Sequence, residues 1–159
     1  MGQPGPASGM FRGNFEHVVD DKGRVAIPAR FREALSGLQE ERLVVTKFAH
    51  RGRHCLDAYP LGSWRRLEKR ILSKNRFNPR VVGFANYYVA GAHECQLDAQ
   101  GRILIPELLR EYAGFGREAM FAGDIDKFRI WNKETWRQVF DEDERIVLEN
   151  PELLGELEL

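Results

Sequence analysis

Two aspartates, Asp20 and Asp98, stand in matching surroundings 78 residues apart. The first lies in Val19-Asp20-Asp21-Lys22-Gly23-Arg24-Val25-Ala26-Ile27-Pro28, the second in Leu97-Asp98-Ala99-Gln100-Gly101-Arg102-Ile103-Leu104-Ile105-Pro106. Both stretches read apolar, Asp, two free positions, Gly, Arg, three apolar residues, Pro. Two carboxylates brought together can share a proton and activate water, as in aspartic proteases. The local sequence speaks against that chemistry. Such sites place Thr or Ser and then Gly directly after the Asp, whereas Gly here follows three residues on, and an Arg in each copy would hold both carboxylates ionised. A structural role fits better: Asp accepts turn N–H groups and pairs with the Arg four residues away, while Gly permits the turn. Asp20, Gly23, Asp98 and Gly101 are therefore expected to structure two loops. Lys22 and Arg24, with Gln100 and Arg102 in the second copy, are left to be displayed on them, where they can contact DNA phosphates and base edges. Gln100 replaces Lys22 and adds no charge, so the first copy is expected to dominate. No catalytic residue is expected.

Other reactive side chains form weaker patterns. His50, His54 and Cys55 invite a metal reading, but the ligand set is incomplete, His93 and Cys95 fall on another predicted strand, and no Cys-x-x-Cys occurs. No metal and no cofactor are expected. Arg51 and Arg53 make the same stretch a basic tip, a candidate second phosphate contact. Arg65, Arg66, Lys69, Arg70, Lys74, Arg76 and Arg80 form a basic run broken by one acid, Glu68. Such a run is most simply a solvated helix face, and alternatively a surface for phosphate or another subunit. Trp64, Trp131 and Trp136 are expected in the core.

The whole chain, 159 residues with 43% hydrophobic, suffices for one domain or two closely joined halves. No apolar run approaches the roughly 20 residues that span a bilayer, so no membrane partner is expected. Residues 1–9 are expected to be a disordered leader and not a secretory signal. Two cysteines are too few for a disulfide framework, which favours a reduced, cytoplasmic setting. The net charge of zero hides polarity. Residues 141–159 hold eight acids against Arg145, leaving 23 basic and 16 acidic residues, a net +7, in residues 1–140. The acidic end is expected to be a helix end and disordered tail that can screen the basic surface.

These residues need elements to position them. Alternation and turn residues predict strands at 15–19 and 24–27, a helix at 29–35, strands at 43–46 and 55–59 around a polar loop at 48–54, and a helix at 64–72. A linker at 73–79 and a short helix at 81–89 follow. The order then repeats: strands at 93–97 and 102–105, a helix at 107–113, strands at 119–122 and 128–131, and a helix from 133 to about 148 capped by Asn132. Pro28 and Pro106 suit the first helical turns. Tyr59 with Trp131, Trp64 with Trp136 and Arg65 with Arg137 correspond at a second offset, 72. The chain is thus expected to be α+β, mainly β, made of two β-β-α-β-β-α halves over residues 10–75 and 76–140. Each half is too small to bury its own core, and pairing about a pseudo-twofold axis into one closed barrel would remove the sheet edges.

The doubled Asp-x-x-Gly-Arg unit with its apolar residues and Pro, headed by Met10-Phe11-Arg12-Gly13, resembles the MraZ family, and each half resembles the AbrB/SpoVT/MazE swapped-hairpin unit. The likeness runs from about Met10 to Asp141. It implies a double-psi-type barrel and ring-shaped homo-oligomers. It also implies transcriptional control of the division and cell-wall gene cluster, through double-stranded promoter repeats that include the protein's own, in the cytoplasm and on the nucleoid. One departure is Ala85-Asn86-Tyr87-Tyr88, where the family often has Arg followed by Phe residues. A MazE-like antitoxin, binding a partner enzyme, is the alternative the same likeness allows.

Overall fold

The computed structural model describes residues 10–159, so the leader expected at 1–9 lies outside the described residues. The first half comprises β1 (Asn14–Val18), β2 (Arg24–Ala26), α1 (Ala29–Gly37), β3 (Arg42–His50), β4 (Arg53–Pro60) and α2 (Leu61–Leu72). α3 (Pro79–Phe84), capped by the Asn78 side chain, runs into a π-helical turn (Ala85–Val89). The second half is β5 (His93–Gln96), β6 (Arg102–Leu104), α4 (Glu107–Ala113), β7 (Glu118–Asp124), β8 (Lys127–Asn132) and α5 (Lys133–Glu149), followed by α6 (Leu153–Glu156).

Local chemistry explains most of these bounds. Pro28 and Pro106 do not sit inside the first helical turns. Each is the extended residue just before its helix (φ −51°, ψ 141° and φ −54°, ψ 143°). The fixed φ suits that position equally well, and the Pro28 carbonyl accepts the N–H groups of Phe31 and Arg32. Asn132 caps α5 as expected, accepting from the Thr135 N–H at 3.1 Å. The polar loop expected at 48–54 is instead a tight hairpin. β3 and β4 pair up to His50 and Arg53, and the turn is only Arg51 (φ 52°) and Gly52 (φ 73°). Two positive φ values match the strand twist, which two-residue hairpins require.

The protein is α+β with antiparallel sheets. Six strands form one sheet in the order β1-β7-β8-β4-β3-β5, and β2 pairs with β6 in a two-stranded ribbon. β1 of the first half pairs with β7 of the second, and β5 of the second pairs with β3 of the first. Exchanging each strand for its counterpart in the other half leaves both orders unchanged. The closed barrel expected from the sequence is not formed. β1 and β5 remain the outer strands of the large sheet, because past Val19 and Leu97 the chain folds over at each Asp turn. The short β2 and β6 then pair with one another, and the isolated Val19–Val25 bridge is what joins ribbon to sheet.

The main core lies between one face of the sheet and the ribbon with α1 and α4. It includes Val25, Ile27, Phe31, Leu35, Ile103 and Ile105. The other face is covered in two patches. Tyr59, Leu61, Trp64 and Tyr88 pack under α2 and the π-helical turn, and Cys55, Met120, Trp131 and Val139 under α5. At the sheet centre β4 and β8 place Asp57 opposite Arg129. Asp57 accepts from Arg129 Nε at 2.9 Å and from the Tyr88 hydroxyl, which also bonds Tyr59 at 2.6 Å. Burial pushes the Asp57 carboxyl above its usual range, against the pull of the Arg129 guanidinium.

Candidate nucleic-acid interface

The two Asp turns are wired alike. Asp20 Oδ1 accepts the backbone N–H groups of Lys22 and Arg24, both at 2.9 Å, and Oδ2 accepts Arg24 Nε at 2.9 Å. Asp98 does the same with Gln100, Arg102 and Arg102 Nε, again at 2.9 Å throughout. In each turn the Gly N–H donates to the Asp carbonyl at 3.0 Å, with φ 88° at Gly23 and 74° at Gly101. A backbone N–H aimed at each carboxylate, from Arg24 and from Arg102, together with the guanidinium of the same residue, holds both carboxyls below their usual range. A depressed native pKa means that the lock is present at neutral pH and lost only as pH falls through that depressed value.

What the locks present follows from the ribbon. Val25 and Ile103 point into the core. Arg24, Ala26, Arg102 and Leu104 therefore share the opposite face, by the two-residue period of a strand. Arg24 lies opposite Leu104 and Arg102 opposite Ala26, so the loops leave the ribbon at its two ends. Lys22 and Gln100 are exposed at the turn tips, and Arg24 and Arg102 are partly exposed. Asp20 and Asp98 are each tied into their own turn at these opposite ends, so the ribbon does not assemble them into a dyad.

Two residues that the sequence reading passed over brace the loops. Arg110 Nε donates to the Ile105 carbonyl at 2.9 Å, and its side chain lies over Gly23 of the other half. Arg32 Nε donates to the Ile27 carbonyl at 3.1 Å and lies over Gly101. A Cβ on Gly23 would come within 2.5 Å of Arg110 Nε, and one on Gly101 within 2.6 Å of Arg32 Cδ. The backbone crosses over as well: Ile27 N–H donates to the Gly101 carbonyl at 2.9 Å and Ile105 N–H to that of Gly23 at 3.0 Å. Each helix thus secures the opposite half's loop. The signal was present, since Arg32 and Arg110 repeat at the same offset of 78 as the motif itself.

The remaining candidates are dispersed. His50 bonds Asp143 at 3.1 Å, His54 stacks on Tyr112 with ring centres 4.1 Å apart, and Cys55 is buried under α5. At the hairpin tip Arg51 Nε meets Asp143 at 2.5 Å, with Glu142 4.0 Å away, so α5 already answers part of its charge. Burial opposes ionisation of Asp143, but the Arg51 and His50 bonds outweigh it and hold the carboxyl low. Burial pushes the Cys95 thiol up to about 11 and that of Cys55 further, which leaves both unreactive near neutral pH. The basic run is exposed along α2, the following link and α3. Trp64 and Trp131 are buried, and Trp136 is partly so.

The family model described as "MraZ protein, putative antitoxin-like" matches residues 10–84 and 88–153, and so takes in both loops. A protein of Desulfitobacterium hafniense named transcriptional regulator MraZ is 42% identical over 127 residues, 80% of this chain and 84% of that one. Similarly named proteins of Syntrophobacter fumaroxidans and Acidithiobacillus ferrooxidans are 40% identical over 136 residues and 43% identical over 129. They cover 86% and 80% of this chain and 85% of each relative. No helix among the described residues is long and apolar enough to cross a membrane. With both halves and both loops inside the match, the chain belongs to the MraZ family.

Proposed function

We propose that this protein is a sequence-specific DNA-binding transcriptional regulator without enzymatic activity or cofactor, carrying its Asp-x-x-Gly-Arg loops on a ring-shaped homo-oligomer. It acts in the cytoplasm, on the nucleoid, at promoter repeats of the division and cell-wall gene cluster that include its own. The observation that carries this reading is the pair of identically locked loops, which fix Arg24 and Arg102 on one face of the ribbon and leave Lys22 and Gln100 exposed at the turn tips. The names of the relatives support it. Locking matters because a cation already fixed in place loses little freedom on binding. One loop offers few contacts, at about 1–3 kcal/mol for a good bidentate base contact. Several loops on one assembly, facing spaced repeats, multiply the effect through effective concentration. A pseudo-twofold, swapped-hairpin relation of the halves fits this use, since it sets two loops at the two ends of one ribbon. Lys22 makes the first loop the stronger contact.

The test is a footprint on DNA upstream of the protein's own gene. Wild type is expected to protect spaced repeats, and Arg24→Ala to lose that protection while keeping the wild-type molar mass. Protection by Arg24→Ala at the wild-type concentration would remove the loop as reader. The affinity is expected to fall with salt at about 0.9 in log–log slope for each phosphate contacted.

The family description's term antitoxin-like favours one second reading, a MazE-like module that binds a partner enzyme. A stoichiometric protein co-purifying with the chain, together with no promoter protection, is the outcome that selects it.

A further inference from the structure

α2 is a core helix only at its start. Leu61 and Trp64 are buried; beyond them Leu67 only borders that patch, Phe84 of α3 stacks on Tyr88 at its edge, and the rest of both helices is largely exposed. Between them runs an open groove of about 480 Å³, floored by Leu67, Ile71, Val81 and Phe84 and rimmed by Arg70, Lys74 and Arg80. None of the three rim cations has an acidic partner within 4 Å among the described residues. A segment of opposite character lies at the other end of the chain. Residues 150–159, Asn-Pro-Glu-Leu-Leu-Gly-Glu-Leu-Glu-Leu, carry Glu152, Glu156 and Glu158, also without basic partners among the described residues. Leu154, Leu157 and Leu159 are 66%, 57% and 85% exposed. α6, at four residues, is far too short to hold as a helix in water on its own.

We propose that the groove between α2 and α3 is the docking site for residues 150–159 of a second copy of this chain. Leucines fill the apolar floor and glutamates meet the basic rim. The arrangement of the sheet favours a second copy over the same chain. α2 leaves the end of β4, level with the start of β8, whereas α5 leaves the end of β8, level with the start of β4. α5 is also tied to the β3–β4 tip through Asp143. Groove and tail therefore depart from opposite ends of the sheet. A contact between two different surfaces is head-to-tail, and repetition of it gives rings or filaments. The inference rests on the assembly part of the proposed function and not on its DNA part.

A mixing experiment tests it with full-length chains and no DNA. One variant carries Leu154→Glu and Leu157→Glu in the tail, the other Arg70→Glu and Arg80→Glu on the groove's rim. All four residues are exposed, so melting temperatures near wild type serve as the folding control. Alone, each variant is expected to sediment as a smaller species than wild type. Mixed in equal amounts, they are expected to form a larger species than either alone, since an intact tail then meets an intact groove. Arg24→Ala, run alongside, keeps the wild-type mass, which separates failure of this contact from failure of DNA reading. Wild-type mass in both variants, a monomeric wild type, or a mixture no larger than its components would overturn the inference.

Discussion

Asp20 and Asp98 direct their carboxylate oxygens into their own turns, and this decides what the neighbouring residues can do. A carboxylate that already accepts two backbone N–H groups and a guanidinium is poorly placed to abstract a proton. The glycines are constrained in two ways at once, by positive φ and by the arginine lying over them. Gly52, at φ 73° but with open space around it, is constrained in one. Gly52→Ala is therefore expected to cost about 1 kcal/mol of stability. Gly23→Ala should cost more, about 1–3 kcal/mol, because Arg110 must swing away and lose the Ile105 carbonyl. Urea midpoints of the two variants check the order, and equal losses would show that the arginine cover contributes nothing. The spacing of Asp, Gly and Arg made the turn legible from sequence. The cover was not read because a lone Arg in a helix carries no local signal; only its repetition at the motif's offset does.

Elements were legible where one force dominates. The helix Glu107–Ala113 and the Asn132 cap follow from apolar spacing and a polar side chain before it. The β3–β4 tip was hidden because four basic or imidazole side chains around one glycine, over 50–54, look like a solvated loop, although the two-residue turn leaves His50, Arg53 and His54 on strands. The π-helical turn at 85–89 was also unreadable, since Tyr88 takes its place by bonding Asp57 far away in sequence. α5 adds a contact that the sequence suggested only in outline. Its acidic end does meet basic surface at the hairpin tip, through Asp143 and, more distantly, Glu142. Asp143→Ala releases His50 and leaves Arg51 only the longer contact to Glu142, and is expected to tighten binding to nonspecific duplex DNA, most clearly at low salt. Stability should change by no more than about 1 kcal/mol, as the pair is well exposed. Titration of a fluorescent duplex at two salt concentrations checks this, and unchanged affinity at the lower one excludes a screening role.

For the molecule as a whole, duplication supplied a pattern that has since diverged at its centre. Asp57 and Arg129 occupy equivalent positions, offset by 72, and face one another across the middle of the sheet. Removing Arg129 leaves the buried Asp57 carboxylate without its cation, whereas Arg129 is partly exposed and also meets Asp124 at 3.3 Å. Arg129→Leu is expected to cost about 3 kcal/mol or somewhat more, while the double variant Asp57→Leu, Arg129→Leu should lose markedly less. Chemical denaturation of the singles and the double gives the coupling, and simple additivity would mean that the pair is not a unit. The exchange of outer strands has a further consequence, in time instead of space. Asn14 must wait for Ala122 before the first strand has its neighbour, so nearly the whole chain has to leave the ribosome before the sheet can be completed. Such high contact order makes folding slow and leaves unpaired strand edges exposed meanwhile. A messenger or proteolytic fragment ending between the halves would yield no half-active regulator, only an unfinished sheet, and synthesis is thereby all-or-none.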